Sequence, residues 1–190
     1  MSYETLTEVV REQRLHPGQD YVFDLADALG IETKIVKHDK ATKTCYEKAE
    51  ILGWSPDRVV KAVYFHDGSY GGLVGIITPE LGRKIDTGKL IPQALPGVSK
   101  QKAASYTVDR HYLPEGMACG TCSPFPLESN MIDEISKIII YDHPEIDDQF
   151  VDISVGGSDE ESFKTSMHIR YKDIYTILSS KFGDKVVKVS

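Results

Sequence analysis

Lys61 is the residue whose position most needs a chemical explanation. It stands within residues 59–65, which otherwise consist of Val, Ala, Tyr and Phe. Such a run predicts a central strand that is apolar on both faces. A lysine there is costly unless its amine reaches water or meets an anion. Two interpretations stay open: an amine that reaches solvent at the edge of the sheet, and an ammonium group held ready for a phosphate or a carbonyl oxygen.

A second candidate is the loop predicted over residues 114–128, which is rich in glycine and proline. Gly116 and Gly120 free the backbone to direct amide N–H groups at an anion, and Pro124 stiffens the exit. Thr121 and Ser123 add hydroxyl donors. Because loops of glycine and proline are common, the pattern alone does not define a site.

Cys119 and Cys122 have the spacing of a zinc or redox pair. Zinc needs about four ligands, and the additions available are His111 and the distant Cys45. A redox pair of the thioredoxin type would begin a helix after a strand, whereas this pair lies in the glycine loop. We therefore predict no metal site and no cofactor.

No thiol or hydroxyl has a base that the sequence defines. The histidines that could serve Cys45 or Cys122 are scattered along the chain. They are His38, His66, His111, His143 and His168. The motifs of serine hydrolases, P-loop proteins and dinucleotide-binding proteins do not occur in the sequence.

The elements that must position these residues follow from hydrophobic periodicity and capping signals. Helices are predicted over residues 6–13, 20–29, 44–53, 86–95 and 171–182. Strands are predicted over residues 31–37, 59–65, 73–78, 137–141, 150–155, 163–169 and 185–189. Thr44 and Glu47 have the spacing of a capping box. Strands come in adjacent pairs more often than in alternation with helices, so we predict an α+β fold with a mixed, largely antiparallel sheet flanked by helices.

Composition narrows the class of protein. The 190 residues fit a single domain that can bury a core without disulfides. The longest apolar run, residues 138–141, is far shorter than the ~20 residues of a membrane helix. The first residues lack the pattern of a signal peptide, and three cysteines suit a reducing compartment. We expect a cytoplasmic protein with no membrane partner.

The net charge of −7 is unevenly distributed. Residues 31–102 hold twelve basic and eight acidic residues, whereas residues 103–163 hold two basic and thirteen acidic residues. The basic segment is either an ordinary solvated surface or a local anion-binding surface. The acidic balance argues against general binding of DNA or RNA, but a protein that holds one end of an RNA is still compatible with it.

Several motifs occur in a characteristic order along the chain. They are His38–Asp39, Thr44, residues 49–53, residues 59–61, residues 115–125, residues 140–142 and residues 151–157. In this order they resemble the YbaK/ProX family of aminoacyl-tRNA deacylases, which includes the editing domain inserted in many bacterial prolyl-tRNA synthetases. The resemblance covers residues 25–178. It implies a barrel-like sheet and a family domain over residues 25–190. Residues 1–24 have no counterpart in the family and are predicted to be an N-terminal helical extension.

The resemblance implies a reaction: hydrolysis of the ester between a wrongly attached amino acid and the terminal adenosine of a tRNA. It implies that Lys61 contacts the terminal phosphate or polarises the ester, while amides around Gly120 face the carbonyl. A positioned water, helped by the ribose hydroxyl of the substrate, would then need no protein nucleophile. The substrate-binding residues implied in this way are His38, Thr44, Thr121, Cys122, Ser123, Pro124, Asp142 and Gly156.

We therefore expect a trans-editing deacylase that removes a small amino acid such as Ala, Cys or Ser, foremost from tRNA(Pro). Its expected partner is the tRNA acceptor end, and an aminoacyl-tRNA synthetase is a further candidate partner. One alternative is a non-catalytic module that recognises an aminoacyl-tRNA end or a nucleotide. Another is an interaction protein that uses the acidic segment over residues 103–163 as its contact surface.

Overall fold

The structure is a computed structural model that describes residues 7–9, 15–68, 72–108, 113, 116–117, 120–131 and 133–190. Within these residues the strands are β1 (Thr7–Val9), β2 (Thr33–Lys37), β3 (Val59–His66), β4 (Leu73–Pro79), β5 (Ile135–Tyr141), β6 (Phe150–Ser154), β7 (Thr165–Arg170) and β8 (Val186–Val189). The helices are α1 (Tyr21–Ala28), α2 (Cys45–Leu52), α3 (Thr87–Ala94), α4 (Lys100–Ala104), α5 (Glu128–Met131) and α6 (Tyr171–Phe182).

The strands form one mixed sheet in the order β1-β2-β7-β6-β3-β4-β5-β8. The pairs β1/β2, β2/β7, β7/β6 and β3/β4 are antiparallel, and the pairs β6/β3, β4/β5 and β5/β8 are parallel. In the described part of the chain no pairing joins β1 to β8, so the sheet is open there and does not close into the barrel that the resemblance implies. The predicted α+β class, with a mixed sheet flanked by helices, is confirmed.

Each face of the sheet is covered by helices. Apolar residues of α1 and α6 pack on one face against β2, β3, β6 and β7, and α3 packs on the other face against β4, β5 and β8. The strands are apolar on both faces because both faces are buried. Helix α2 contacts β3 and begins with the predicted capping box, in which Thr44 Oγ1 accepts a hydrogen bond from the Glu47 amide at 3.2 Å.

The N-terminal segment differs from its prediction. A helix is predicted over residues 6–13, but Thr7–Val9 form a strand that pairs antiparallel with β2. Periodic apolar spacing is a helix signal, yet a three-residue edge strand owes its conformation to hydrogen bonds with a neighbour that is distant in sequence. The rest of the predicted helix lies outside the described residues. The division of the chain at residue 25 stays a prediction, and α1 runs across it.

Strands β3 and β6 part soon after they meet. The register joins Val59 to Asp152 and Val60 to Ile153, after which β6 ends and β3 continues to His66. The Val59 carbonyl oxygen accepts a hydrogen bond from the amide of Glu80, the residue after β4. The amide and the carbonyl of His66 instead bond to Thr107, on the opposite side of β3. Since hydrogen-bonding direction alternates along a strand, the backbone groups of residues 62 and 64 also turn away from β4. They therefore face the gap that opens between β3 and β6.

The glycine loop closes the far side of this gap. The Gly156 amide donates to the Thr121 carbonyl at 3.0 Å, and the Gly157 amide donates to the Gly116 carbonyl at 2.7 Å. The Tyr64 hydroxyl donates to the Pro124 carbonyl at 3.1 Å. The loop is thus held between the chain that leaves β6 and the side of β3.

The close approach at Gly156 leads to a prediction about stability. Gly156 has φ +85°, and a Cβ atom there would lie 2.7 Å from the Gly116 carbonyl oxygen. Left-handed backbone costs an L-residue about 1–2 kcal/mol, and overpacking adds about 1–3 kcal/mol. We expect Gly156→Ala to lower the free energy of unfolding in urea by about 3 kcal/mol.

The matched control is Gly30→Ala. Gly30 has φ +66°, but a Cβ atom there would meet nothing within 4 Å. We expect this variant to lose only the backbone cost of about 1–2 kcal/mol. Equal losses in the two variants would contradict a tight contact between the two loop segments.

Candidate functional site

A cavity of about 220 Å³ lies in the gap between β3 and β6. Its lining comes from residues 59–64 of β3, Asp152 and Ser154 of β6, residues 42–45 and Lys48 around α2, and Gly120 and Cys122 of the glycine loop. Val108, Leu113 and Met117 add an apolar part. Cavities of this kind, largely apolar with a few convergent polar groups, are typical of small-molecule sites.

Strand register explains why charged side chains meet in this cavity. Asp152 lies opposite Val59 in a parallel pair. Because side chains alternate between faces, Lys61 and Ser154 follow two residues later on the same face. Val60 and Ile153 point to the other face, where they enter the main core.

Lys61 is held by an ion pair at the edge of the cavity. Its Nζ donates to Glu80 Oε2 at 2.8 Å, and a quarter of its side chain is exposed. Burial alone would raise the pKa of Glu80, but hydrogen bonds from Lys61 and the Gly82 amide, together with the charge of Lys61, lower it overall. Glu80 is therefore a carboxylate at neutral pH that fixes the position of the Lys61 ammonium group.

The thiol of Cys45 faces the same groups. Burial, helped by the negative charges of Glu80 and Asp152, raises its pKa to about 11, and the positive charge of Lys61 opposes this rise. A thiol with this pKa is almost entirely protonated at neutral pH, and the thiolate is the nucleophilic form. Cys45 is thus poorly suited to covalent catalysis.

Lys48 belongs to a buried cluster behind the cavity. Its Nζ contacts His38 Nε2 and donates to Ser166 Oγ at 2.7 Å. His38 Nδ1 lies 2.5 Å from the Lys40 carbonyl oxygen, so Nδ1 carries the proton and Nε2 accepts from Lys48. Burial lowers the pKa of Lys48, and the charge of Asp152 partly offsets this.

Asp152 is held from the neighbouring strand. Its Oδ1 lies 3.2 Å from Nε2 of His168, its register partner on β7, and both side chains are buried. The His168 ring packs on Trp54 with ring centroids 4.7 Å apart, and the Arg58 guanidinium lies over Trp54. The His168 ring is thus held by its contact with Trp54 as well as by Asp152.

The structure brings four of the predicted site residues together. Lys61, Thr44, Gly120 and Cys122 all line the cavity. His38 does not line it but contacts Lys48, which does.

Other predicted site residues serve the loop itself. Thr121 Oγ1 donates to the Gly157 carbonyl, Ser123 Oγ accepts from the Phe125 amide at 3.2 Å, and the Pro124 carbonyl accepts from Tyr64. Gly156 lies where the loop meets the chain that leaves β6. Their side chains or backbone groups shape the loop that presents Gly120.

Asp142 lies away from the cavity. It follows β5, its carboxylate lies 3.8 Å from Lys188 Nζ, and it lines a separate depression with Arg83 and Tyr141. The structure therefore does not bring Asp142 together with Lys61.

Sequence reasoning did not place Lys48, Glu80 or Asp152 at the site, and it considered His168 only as one of the scattered histidines. Asp152 carried a usable signal, because it interrupts an apolar strand between Val151 and Ile153 just as Lys61 interrupts its own strand. No such signal marks Lys48, because a lysine on a short helix is usually exposed.

In the described part of the chain no cluster of three or more His, Cys, Asp or Glu residues is arranged to hold a metal ion. No described helix has the length and apolar character needed to cross a membrane.

Comparison with known proteins supports the fold. No family model and no curated protein matches the chain. Among solved structures, a hypothetical protein is 19% identical, with a TM-score of 0.57 over 89% of this chain and 97% of its own. A candidate trans-editing enzyme for prolyl tRNA synthetase is 16% identical, with a TM-score of 0.60 over 92% of this chain and 97% of its own.

A third structure comes from epitope backbone grafting onto scaffold proteins by computational design. It is 13% identical to this chain, with a TM-score of 0.58 over 93% of this chain and 97% of its own. At these identities the likeness shows the fold alone: the chain shares the α+β fold of these three proteins.

The raised pKa of Cys45 predicts its reactivity. We expect alkylation of Cys45 by iodoacetamide, followed by peptide mass spectrometry, to be slow at about pH 8 and to rise toward a midpoint near the pKa of about 11. Glu80→Gln removes a negative charge that raises this pKa and leaves the charge of Lys61, which lowers it. The variant should therefore be alkylated faster than the wild type at about pH 8.

Glu32→Gln is the control for this measurement. Glu32 pairs with Lys34 on β2, outside the cavity, so its loss should leave the alkylation rate of Cys45 unchanged. A Glu80→Gln protein that reacts no faster than the wild type would contradict the electrostatic coupling of Cys45 and Glu80.

Proposed function

We propose that this protein is a deacylase that hydrolyses the ester between a small amino acid, such as Ala, Cys or Ser, and the terminal adenosine of a tRNA, foremost tRNA(Pro). The observation that carries the proposal is that Lys61 and the Gly120 loop line one cavity. The order of motifs that resembles the YbaK/ProX family supports it. So does the shared fold with a candidate trans-editing enzyme for prolyl tRNA synthetase.

The reaction needs little from the protein beyond orientation and charge. Water adds to the ester carbonyl, the carbonyl oxygen becomes an oxyanion, and the carbon–oxygen bond to the ribose then breaks. One proton of the water ends on the ribose oxygen, the amino acid leaves as a carboxylate, and the second proton passes to solvent. Hydrogen-bond donors placed at the oxyanion are commonly worth about 3–4 kcal/mol each. Backbone amides around Gly120 and the Lys61 ammonium are the donors that we assign to this task.

The protonated state of Cys45 agrees with a direct attack by water. A covalent route would need a thiolate, and the pKa of about 11 keeps the Cys45 thiol protonated. An ester is labile enough that a held water, assisted by the neighbouring ribose hydroxyl, can supply the nucleophile. The cavity therefore has a route to hydrolysis that uses no protein nucleophile.

The charge of the cavity suits the end of an RNA. Lys43, Lys48 and Lys61 line it, and the N-terminus of α2, with its partial positive charge, lies beside it at Thr44 and Cys45. An acceptor end presents few phosphates, so binding would have a modest salt dependence. The acidic segment over residues 103–163 would discourage wider contact with the RNA.

The deciding experiment is deacylation of tRNA(Pro) mischarged with Ala, Cys or Ser. We expect the wild-type protein to hydrolyse at least one of these substrates, and Lys61→Ala to lower kcat/KM by about 100-fold, the usual cost of losing an oxyanion donor. Lys34→Ala is the matched control, because Lys34 is also a strand lysine in an ion pair but lies outside the cavity. It should stay within about twofold of the wild type.

The outcomes separate the deacylase from the non-catalytic binding module. Binding of the aminoacyl-tRNA without turnover of any of the three substrates would contradict the deacylase and support the binding module. Equal loss of activity in Lys61→Ala and Lys34→Ala would show that the effect does not arise in the cavity.

A further inference from the structure

Asp152 differs from the other charged groups of the cavity. Among the described residues that line the cavity, three are lysines and Asp152 is the one carboxylate. Its side chain is deeply buried, with the residue only 2% exposed. Burial of a carboxylate is costly unless both oxygens find donors.

Among the residues that the structure describes, only one oxygen of Asp152 has such a donor. Oδ1 is bonded to His168, whereas Oδ2 makes no hydrogen bond with any residue that the structure describes. The nearby lysines do not supply one. The Lys48 ammonium bonds to His38 and Ser166, and the Lys61 ammonium bonds to Glu80.

We propose that Asp152 binds the α-ammonium group of the aminoacyl ester, an inference that rests on the proposed function. An aminoacyl ester with a protonated amine carries a positively charged nitrogen, attached to the carbon next to the reacting carbonyl. The cavity offers that charge a single carboxylate with an unused oxygen. A carboxylate–ammonium contact there would satisfy Oδ2 and fix the carbonyl at the same time.

Strand geometry sets the distance between Asp152 and Lys61. Asp152 is the register partner of Val59, so Lys61 lies one strand over and two residues further along. With about 3.3 Å per residue and about 4.8 Å between strands, the two Cα atoms are about 8 Å apart. A small amino acid fits within this distance, with its ammonium group at Asp152 and its ester at Lys61.

The neighbours of Asp152 hold it in the orientation that this role needs. His168 from β7 fixes Oδ1, and Trp54 packs on the His168 ring. From α2, Lys48 and Cys45 face Asp152. Burial lowers the pKa of Lys48 and the charge of Asp152 opposes this, whereas burial and that charge both raise the pKa of Cys45. His168 is accordingly a positioning residue and not a ligand of the substrate.

The test compares two substrates of equal size. The first is tRNA(Pro) charged with whichever small amino acid the wild-type protein removes. The second carries the matching α-hydroxy acid, in which a neutral hydroxyl replaces the ammonium group. We expect wild-type kcat/KM to be at least tenfold higher on the aminoacyl substrate, as for the loss of a charged hydrogen bond.

A variant locates the effect at Asp152. Asp152→Asn keeps the shape of the side chain and removes its charge, so the preference for the aminoacyl substrate should fall to nearly one. Since the preference is a ratio measured on one preparation, partial unfolding of the variant does not alter it. Asp148→Asn is the control, because Asp148 pairs with Lys172 on the surface, and it should keep the wild-type preference.

The experiment distinguishes a failure of the role of Asp152 from a failure of the proposed deacylase. Wild-type protein that cleaves both substrates equally well would overturn the role of Asp152 and leave the deacylase standing. Preference that persists in Asp152→Asn would also overturn it. Wild-type protein that cleaves neither substrate would overturn the deacylase and this inference with it.

Discussion

The early parting of β3 and β6 is the constraint on which the candidate site depends. Two register pairs join the strands before β6 ends, and the backbone groups of residues 62 and 64 then face a gap. An unpaired strand edge inside a protein is costly, so other segments must close over it. Here the closure comes from the glycine loop and the start of α2. They leave a cavity lined partly by backbone and partly by side chains.

Charges in this cavity are held by partners from different elements. Glu80, the residue after β4, holds Lys61; His38 and Ser166 hold Lys48; and His168 on β7 holds Asp152. Because the interior screens charge weakly, each partner both stabilises a charge and orients it. The lysine ammonium groups and the one carboxylate can therefore lie close together in the cavity. Each of them can contact a different part of one ligand. Burial, together with the charges of two nearby carboxylates, keeps the Cys45 thiol protonated.

Most of the fold could be predicted because its elements carry local signals. The strands that form the sheet contain β-branched runs, and α2 begins with a capping box that the structure contains. Helices α4 and α5 were not predicted, since five and four residues are too few to show helical periodicity. The strand at Thr7–Val9 was mistaken for a helix because its conformation depends on pairing with β2. Closure of the sheet is likewise a property of pairing, which local patterns do not reveal.

By itself the sequence determined that Lys61 and the Gly120 loop were worth attention, because the cost of a lysine among apolar strand residues and the freedom of glycine are local properties. Only the tertiary structure decided that Lys48 and Asp152 join them and that Asp142 does not. An acidic residue at a strand end has the same appearance in a sequence whether it faces a cavity or a surface lysine. Burial and partners are set by strand register and by contacts between residues far apart in the chain, and these exist only once the sheet has formed.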